Sequence, residues 1–311
     1  MKRTLTTAAI VMVAVALGAQ GRYVPERVFA SGPGVFTDFE AMLADLADAD
    51  VVLVGEQHDD PNTHALELAI LEGLMRRRSD LILSLEMFER DVQGAVESFR
   101  AGDLSETEFL ELSRPWPRYA TDYKRLVDLA VAHGWPVVAA NVPRAVASEV
   151  AGEGLGVLDG KPDAERAWFA ADLECPTDDT YFTRFAETMS EHPSDPEAAE
   201  VDPAQPGGEV ERYYHSQCLK DETMAESIAR ASAQATAAGG RPLVVHFTGA
   251  FHSDFRLGTA ARVMRRMPQA RVAVVTVVPS PDLDALAPAA DLPRADYVVY
   301  TLKRPEAPHG G

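Results

Sequence analysis

The chain has 311 residues, 46% of them hydrophobic and 25% charged, a globular composition that argues against a disordered or fibrous protein and allows one large α/β domain or two small ones. With 29 Lys and Arg against 48 Asp and Glu the formal charge is −19, and no basic run follows the N-terminus, so broad binding to a nucleic-acid backbone is disfavoured. Two cysteines, Cys175 and Cys218, are too few for a disulfide scaffold, a four-cysteine iron–sulfur site or a cysteine-built zinc module.

Lys2 and Arg3 precede an apolar stretch from Leu5 to Ala19 and small residues, the pattern of a secretory signal peptide over residues 1–19, cleaved after Ala16 or Ala19. At roughly 15 residues the stretch is short for a membrane span of about 20. No cysteine lies here, so a diacyl-lipid anchor is not expected. The chain reads as exported to the periplasm or beyond, with membrane association only through an uncleaved signal. Export permits a Cys175–Cys218 disulfide; the alternative is two small buried thiols.

Val51-Val52-Leu53-Val54 is a short β-branched run, as expected of a buried strand. Asp60 and Pro61 follow as N-cap and first position of a helix to Arg78, with Leu66, Ala69, Ile70 and Leu74 on one face. Leu81 to Leu85 is a second strand. Glu86 to Arg100 and Ser105 to Ser113 read as helices, as does Tyr119 to His133, closed by Gly134. Pro136 to Ala140 is a third strand and Pro143 to Ala151 a short helix. Residues 160–239 contain no convincing strand. Helical patterns run over Ala164 to Asp172 and Thr180 to Glu191, a Pro/Glu/Asp-rich break covers His192 to Gly208, and a long helix runs from Glu209 to Ala237. This stretch is expected as a helical insertion. Strands follow at Leu243 to Phe247, Val272 to Val278 and, at the sheet edge, Tyr297 to Leu302. The alternation predicts a three-layer α/β/α fold around a mostly parallel sheet of five or six strands, one domain over 36–302, and a flexible tail at 303–311.

Polar residues follow the strands at regular places. The first strand ends into Gly55-Glu56-Gln57-His58, the second into Glu86-Met87-Phe88, the third into Asn141-Val142-Pro143-Arg144 and the fourth into Thr248-Gly249-Ala250-Phe251-His252. In a parallel sheet these four clusters share the carboxyl edge, where open α/β sheets hold ligands. Two share a Gly-x-x-His pattern. Glu56, His58, Glu86 and His252 are a mixed nitrogen–oxygen donor set suited to zinc, manganese or iron, with His64 behind them. No Gly-x-Gly-x-x-Gly, phosphate loop, Gly-x-Ser-x-Gly elbow or Cys-x-x-Cys-His occurs, which removes nucleotide binding, a serine elbow and covalent haem attachment.

These blocks resemble the ChaN-like haem-binding family of the Tiki/TraB/erythromycin-esterase superfamily. The resemblance runs from about Phe36 to Leu302. It rests on Gly55 to His58 with His64, Leu85-Glu86-Met87-Phe88, Arg114-Pro115-Trp116 leading to Tyr119 and Tyr123, Ala140 to Arg144, Gln217 to Ala225, and Thr248 to His252. It implies an α/β/α fold with extra helices, and haem or iron handling and iron uptake at the bacterial envelope. It also implies haem held between two subunits of a homodimer through a tyrosine. On that reading Tyr213, Tyr214 and His215, with Arg144 toward the propionates, are the haem-binding candidates. The wider superfamily implies an alternative, a metal-dependent peptidase or esterase. In it His58 and His252 ligate the ion, Glu86 or Glu56 completes the set, the other glutamate acts as base, and Asn141 orients a carbonyl or stabilises an oxyanion.

Overall fold

The computed structural model describes residues 24–191 and 207–303. The expected signal peptide, most of the Pro/Glu/Asp-rich break and nearly all of the tail lie outside the described residues.

Eight strands form one mixed sheet: β1 Glu26–Ala30, β2 Val35–Thr37, β3 Val51–Glu56, β4 Leu81–Glu89, β5 Val137–Asn141, β6 Leu243–Gly249, β7 Val272–Ser280 and β8 Tyr297–Leu302. Their order is β2-β1-β8-β7-β3-β6-β4-β5. The six strands expected from the sequence are all present and pair in parallel. The first two extend the sheet: β1 and β2 form an antiparallel hairpin, and β1 pairs antiparallel with β8. Tyr297–Leu302 is therefore not the edge strand expected; β1 covers it.

Alternate residues of each strand feed opposite layers, as a pleat requires. On one face Val52, Val54, Leu83, Leu85, Val245 and Phe247 pack with Leu43, Ile70, Leu74 and Leu126 from the helices Phe39–Leu46, Pro61–Met75 and Lys124–His133. On the other face Val51, Leu53, Ile82 and Val244 pack with Ala225, Ile228, Ala260 and Val263 from the helices Glu209–Ala237 and Gly258–Arg266. The expected three layers are thus observed. The long helix expected inside an insertion is a working part of the third layer.

Local signals set the element ends. The Asp60 carboxylate accepts from the amides of Asn62 and Thr63, with Pro61 at the first helical position. Gly134, at φ 70°, closes the helix Lys124–His133. Glu86, Met87 and Phe88 continue β4 instead of opening a helix, because Met87 and Phe88 bury their side chains in the core. The helical pattern from Ala164 to Asp172 condenses to a single turn, Asp163–Arg166, beside a loop.

Candidate functional site

The parallel strands β3, β6 and β4 are adjacent, so their carboxyl ends share one floor. In register Glu56 lies opposite Gly249. Glu86 reaches the same place from β4: its Oε2 accepts from the Thr248 hydroxyl at 2.6 Å and from the Gly249 amide at 2.8 Å. Above this floor opens a cavity of about 700 Å³ lined by Glu56, His58, Glu86, Asn141, Arg144 and His252 among others. The sequence-level expectation that residues from four strand ends converge is met by the geometry.

Gly249 explains the approach of the two Gly-x-x-His motifs. A Cβ at this position would lie 2.8 Å from His58 Nε2 and 2.9 Å from its Cε1, so any side chain here would displace that ring. His58 Nδ1 lies 2.5 Å from Glu56 Oε1, which also accepts from the Tyr123 hydroxyl at 2.7 Å. That bond to Glu56 raises the His58 pKa. The ring meets Trp116 edge-on at 5.1 Å, and its side chain is 48% exposed toward the cavity. Nε2 makes no hydrogen bond among the described residues.

His252 is held on both sides. Its Nδ1 is 2.7 Å from Asp221 Oδ1 and its Nε2 is 3.4 Å from Glu86 Oε1. Burial alone would lower this imidazole, but the two carboxylates prevail and push it up to about 10. Burial likewise opposes the charge on Glu86, yet His252 and the donors from Thr248 and Gly249 hold its carboxyl far below the usual range. Asp221 is fixed by Thr259 at 2.8 Å and by the Tyr181 phenol at 2.7 Å. Asp221 was not assigned a site role from the sequence. The signal available was weak: an acid on the helix face shared by Gln217, whose partner is remote in the chain.

The other candidates divide. Asn141 lines the cavity, with its side-chain oxygen accepting from the Val142 amide at 2.9 Å. Arg144 also lines it. Tyr213, Tyr214 and His215 do not. Tyr214 is fully buried among Tyr181, Phe182 and Phe185, with ring centroids 5.0 to 5.8 Å away. Tyr213 is half-buried beside Glu209, and His215 pairs with Glu211 at 3.9 Å. The helix carrying them turns Ser216, Gln217 and Lys220 to the cavity instead. Nor do His58, His252 and Glu86 form the donor group that converges. Among the described residues the His/Cys/Asp/Glu atoms that lie within 4.8 Å of one another belong to Glu56, His64 and Glu67, behind the floor.

The cavity wall has one further property. Arg144, Arg184 and Lys220 all face it, and none makes an ion pair among the described residues. Arg184 lies over the Phe255 ring at 3.7 Å. In a chain with 48 acids these three cations are conspicuous.

A family model described as haem-binding uptake, Tiki superfamily, ChaN, matches residues 42–263. The chain belongs to that family. The fold agrees: a ChaN of Campylobacter jejuni, solved with cofacially bound haem, superposes with a TM-score of 0.65 at 16% identity, over 89% of this chain and 96% of that one. Two further structures are more loosely similar, an erythromycin esterase mutant in its open conformation and a protein from Bacillus cereus. The esterase has a TM-score of 0.43 at 11% identity, covering 90% of this chain and 83% of its own. The Bacillus cereus protein has a TM-score of 0.39 at 10% identity, covering 78% and 70%. No curated protein matches the chain.

Proposed function

We propose that this chain is an exported protein that binds haem for iron handling at the bacterial envelope, with the sheet-edge cavity as its binding site. The observation that carries this reading is the wall of cations without carboxylate partners beside aromatic rings. Haem is a flat apolar dianion. Trp116, Phe251 and Phe255 offer it surface, while Arg144 and Lys220 offer charge-assisted hydrogen bonds to two propionates. The iron ligand is assigned to His58. Its Nδ1 is committed to Glu56, a second-shell carboxylate that makes Nε2 the better donor. The assignment passes over Tyr213 and Tyr214 because neither lines the cavity.

Export is supported by the N-terminal pattern and by the disulfide between Cys175 and Cys218, a bond suited to oxidising compartments. No described helix is long and apolar enough to cross a membrane.

Titration of the haem-free protein with haemin tests the reading. A Soret band at stoichiometric haemin is expected, with affinity at least tenfold lower in the Arg144→Ala/Lys220→Ala variant and the band displaced in His58→Ala. No band, or a band lost only in Tyr213→Phe, refutes the assigned site. A second reading, hydrolysis, is favoured by one observation, the Glu56–His58 pair facing a charged His252 across the same floor. It predicts cleavage of small esters or peptides, lost in both His58→Ala and His252→Ala.

A further inference from the structure

Behind the cavity floor lies a second, smaller constellation that shares only Glu56 with the proposed haem site. Glu56 closes β3, and His64 and Glu67 stand one turn apart on the helix Pro61–Met75, which places them on one face. All three are buried, Glu67 completely. His64 Nδ1 is 2.8 Å from Glu67 Oε2 and 3.5 Å from Glu56 Oε2. Two carboxylate oxygens in this space, Glu56 Oε2 and Glu67 Oε1, have no hydrogen-bond partner among the described residues. Acceptors gathered in a dry interior are costly unless something positive lies between them.

We propose that Glu56, His64 and Glu67 bind one divalent cation of the zinc, manganese or iron(II) class. Three features select such an ion. The donors are one imidazole and two carboxylates, a borderline set that calcium and magnesium, which take oxygen, do not favour. The separations of 2.8 and 3.5 Å resemble the edges of a polyhedron built on metal–ligand bonds of about 2.0–2.2 Å. The other ring nitrogen of His64 is placed as a ligating histidine requires: Nε2 lies 3.0 Å from the His58 carbonyl oxygen, so Nε2–H donates there and Nδ1 faces the carboxylates. The ion is structural in position, closed off from the cavity by Glu56. It is also coupled to the cavity, because the other oxygen of Glu56 holds His58. A metal here fixes the orientation of the His58 ring whichever ligand the cavity receives, so the proposal stands or falls apart from haem.

Metal analysis of haem-free protein, after extraction and reloading with Zn2+, tests it. One zinc per chain is expected in the wild type and in His252→Gln, and none in Glu67→Gln or His64→Gln, with Zn2+ raising the melting temperature only where it binds. Co2+ in its place should give a visible d–d spectrum in the wild type, a readout that needs no variant to fold. The proposal is overturned if the wild type takes up neither metal, which would mean that a proton fills the gap. It is also overturned if Glu67→Gln keeps its zinc, or if His252→Gln loses it, which would put the ion on the cavity floor.

Discussion

Substituting Gly249 by alanine adds one methyl group at the point where the two Gly-x-x-His motifs meet. The backbone there, φ −55° and ψ 138°, suits any residue, so the whole effect is steric. The new Cβ would lie 2.8 Å from His58 Nε2 and 2.9 Å from Cε1, roughly half an ångström inside ordinary contact. Relief comes from the ring, whose side chain is 48% exposed and can swing toward the cavity mouth. That swing breaks the 2.5 Å contact with Glu56. Overpacking costs about 1–3 kcal/mol and the lost charged hydrogen bond a similar amount, and they are alternatives rather than a sum. A net loss of about 2 kcal/mol follows, or roughly 4–8 °C in melting temperature for a chain of this size. Haem affinity should fall at least tenfold, about 1.4 kcal/mol, because His58 leaves its position. Differential scanning fluorimetry and haemin titration read the two effects. Gly94→Ala is the control: nothing lies within 4 Å of its Cβ in the helix Gln93–Ala101, and it should gain about 0.5–1 kcal/mol. If Gly249→Ala binds haemin within twofold of wild type and leaves the His58 ring resonances in place, the assigned contact between the motifs is wrong.

His246, wholly buried with Nδ1 2.9 Å from Ser84 Oγ, should shape the acid limb of stability. Burial holds it down at about 4, with Glu86 and Asp221 pulling up and His252 pushing down. The unfolded chain takes a proton near pH 6.5 that the folded one refuses, so stability is full above that pH and falls by about 3 kcal/mol toward pH 4. His246→Gln should flatten this difference in urea unfolding measured from pH 4.5 to 7.5, and an unchanged slope would contradict it. The Cys175–Cys218 bridge spans 43 residues and constrains the unfolded chain by about 4 kcal/mol. Full reduction should lower the melting temperature by roughly 8–16 °C, and a reduced protein melting like the oxidised one would refute that. Ser105 forms a capping box with Glu108, and Ser105→Ala should cost about 1 kcal/mol by chemical denaturation, with no change in haemin binding.

The parallel core was legible because each of its strands is a compact β-branched run, and because Asp60-Pro61 and Gly134 mark helix ends by chemistry that acts within a few residues. The hairpin was not. β1 and β2 are five and three residues long, and the hairpin joins the sheet only through the pairing of β1 with β8, more than 250 residues away. The strand-end clusters were legible for a similar reason: once the sheet is parallel, topology alone gathers Glu56, Glu86, Asn141 and His252. Which side of a long helix faces that edge was not. Tyr214 turns into an aromatic cluster with Tyr181 and Phe182, and this rotates Gln217 and Lys220, instead of the tyrosines, to the cavity. The role of Asp221 depends on the same rotation. His64 was read as standing behind the metal ligands. In the structure it sits at the centre of the donor group that converges, because Glu67 follows it by one turn.

The position of β3 has a consequence for how the molecule is made. It is the third strand to leave the ribosome, yet both of its neighbours, β6 and β7, belong to the last quarter of the chain. Until they emerge, its backbone groups have no partners in the sheet, and the nascent polypeptide cannot close around its centre. A topology of this kind postpones commitment to the native state until synthesis is nearly done, leaving a long interval in which the chain is still extended.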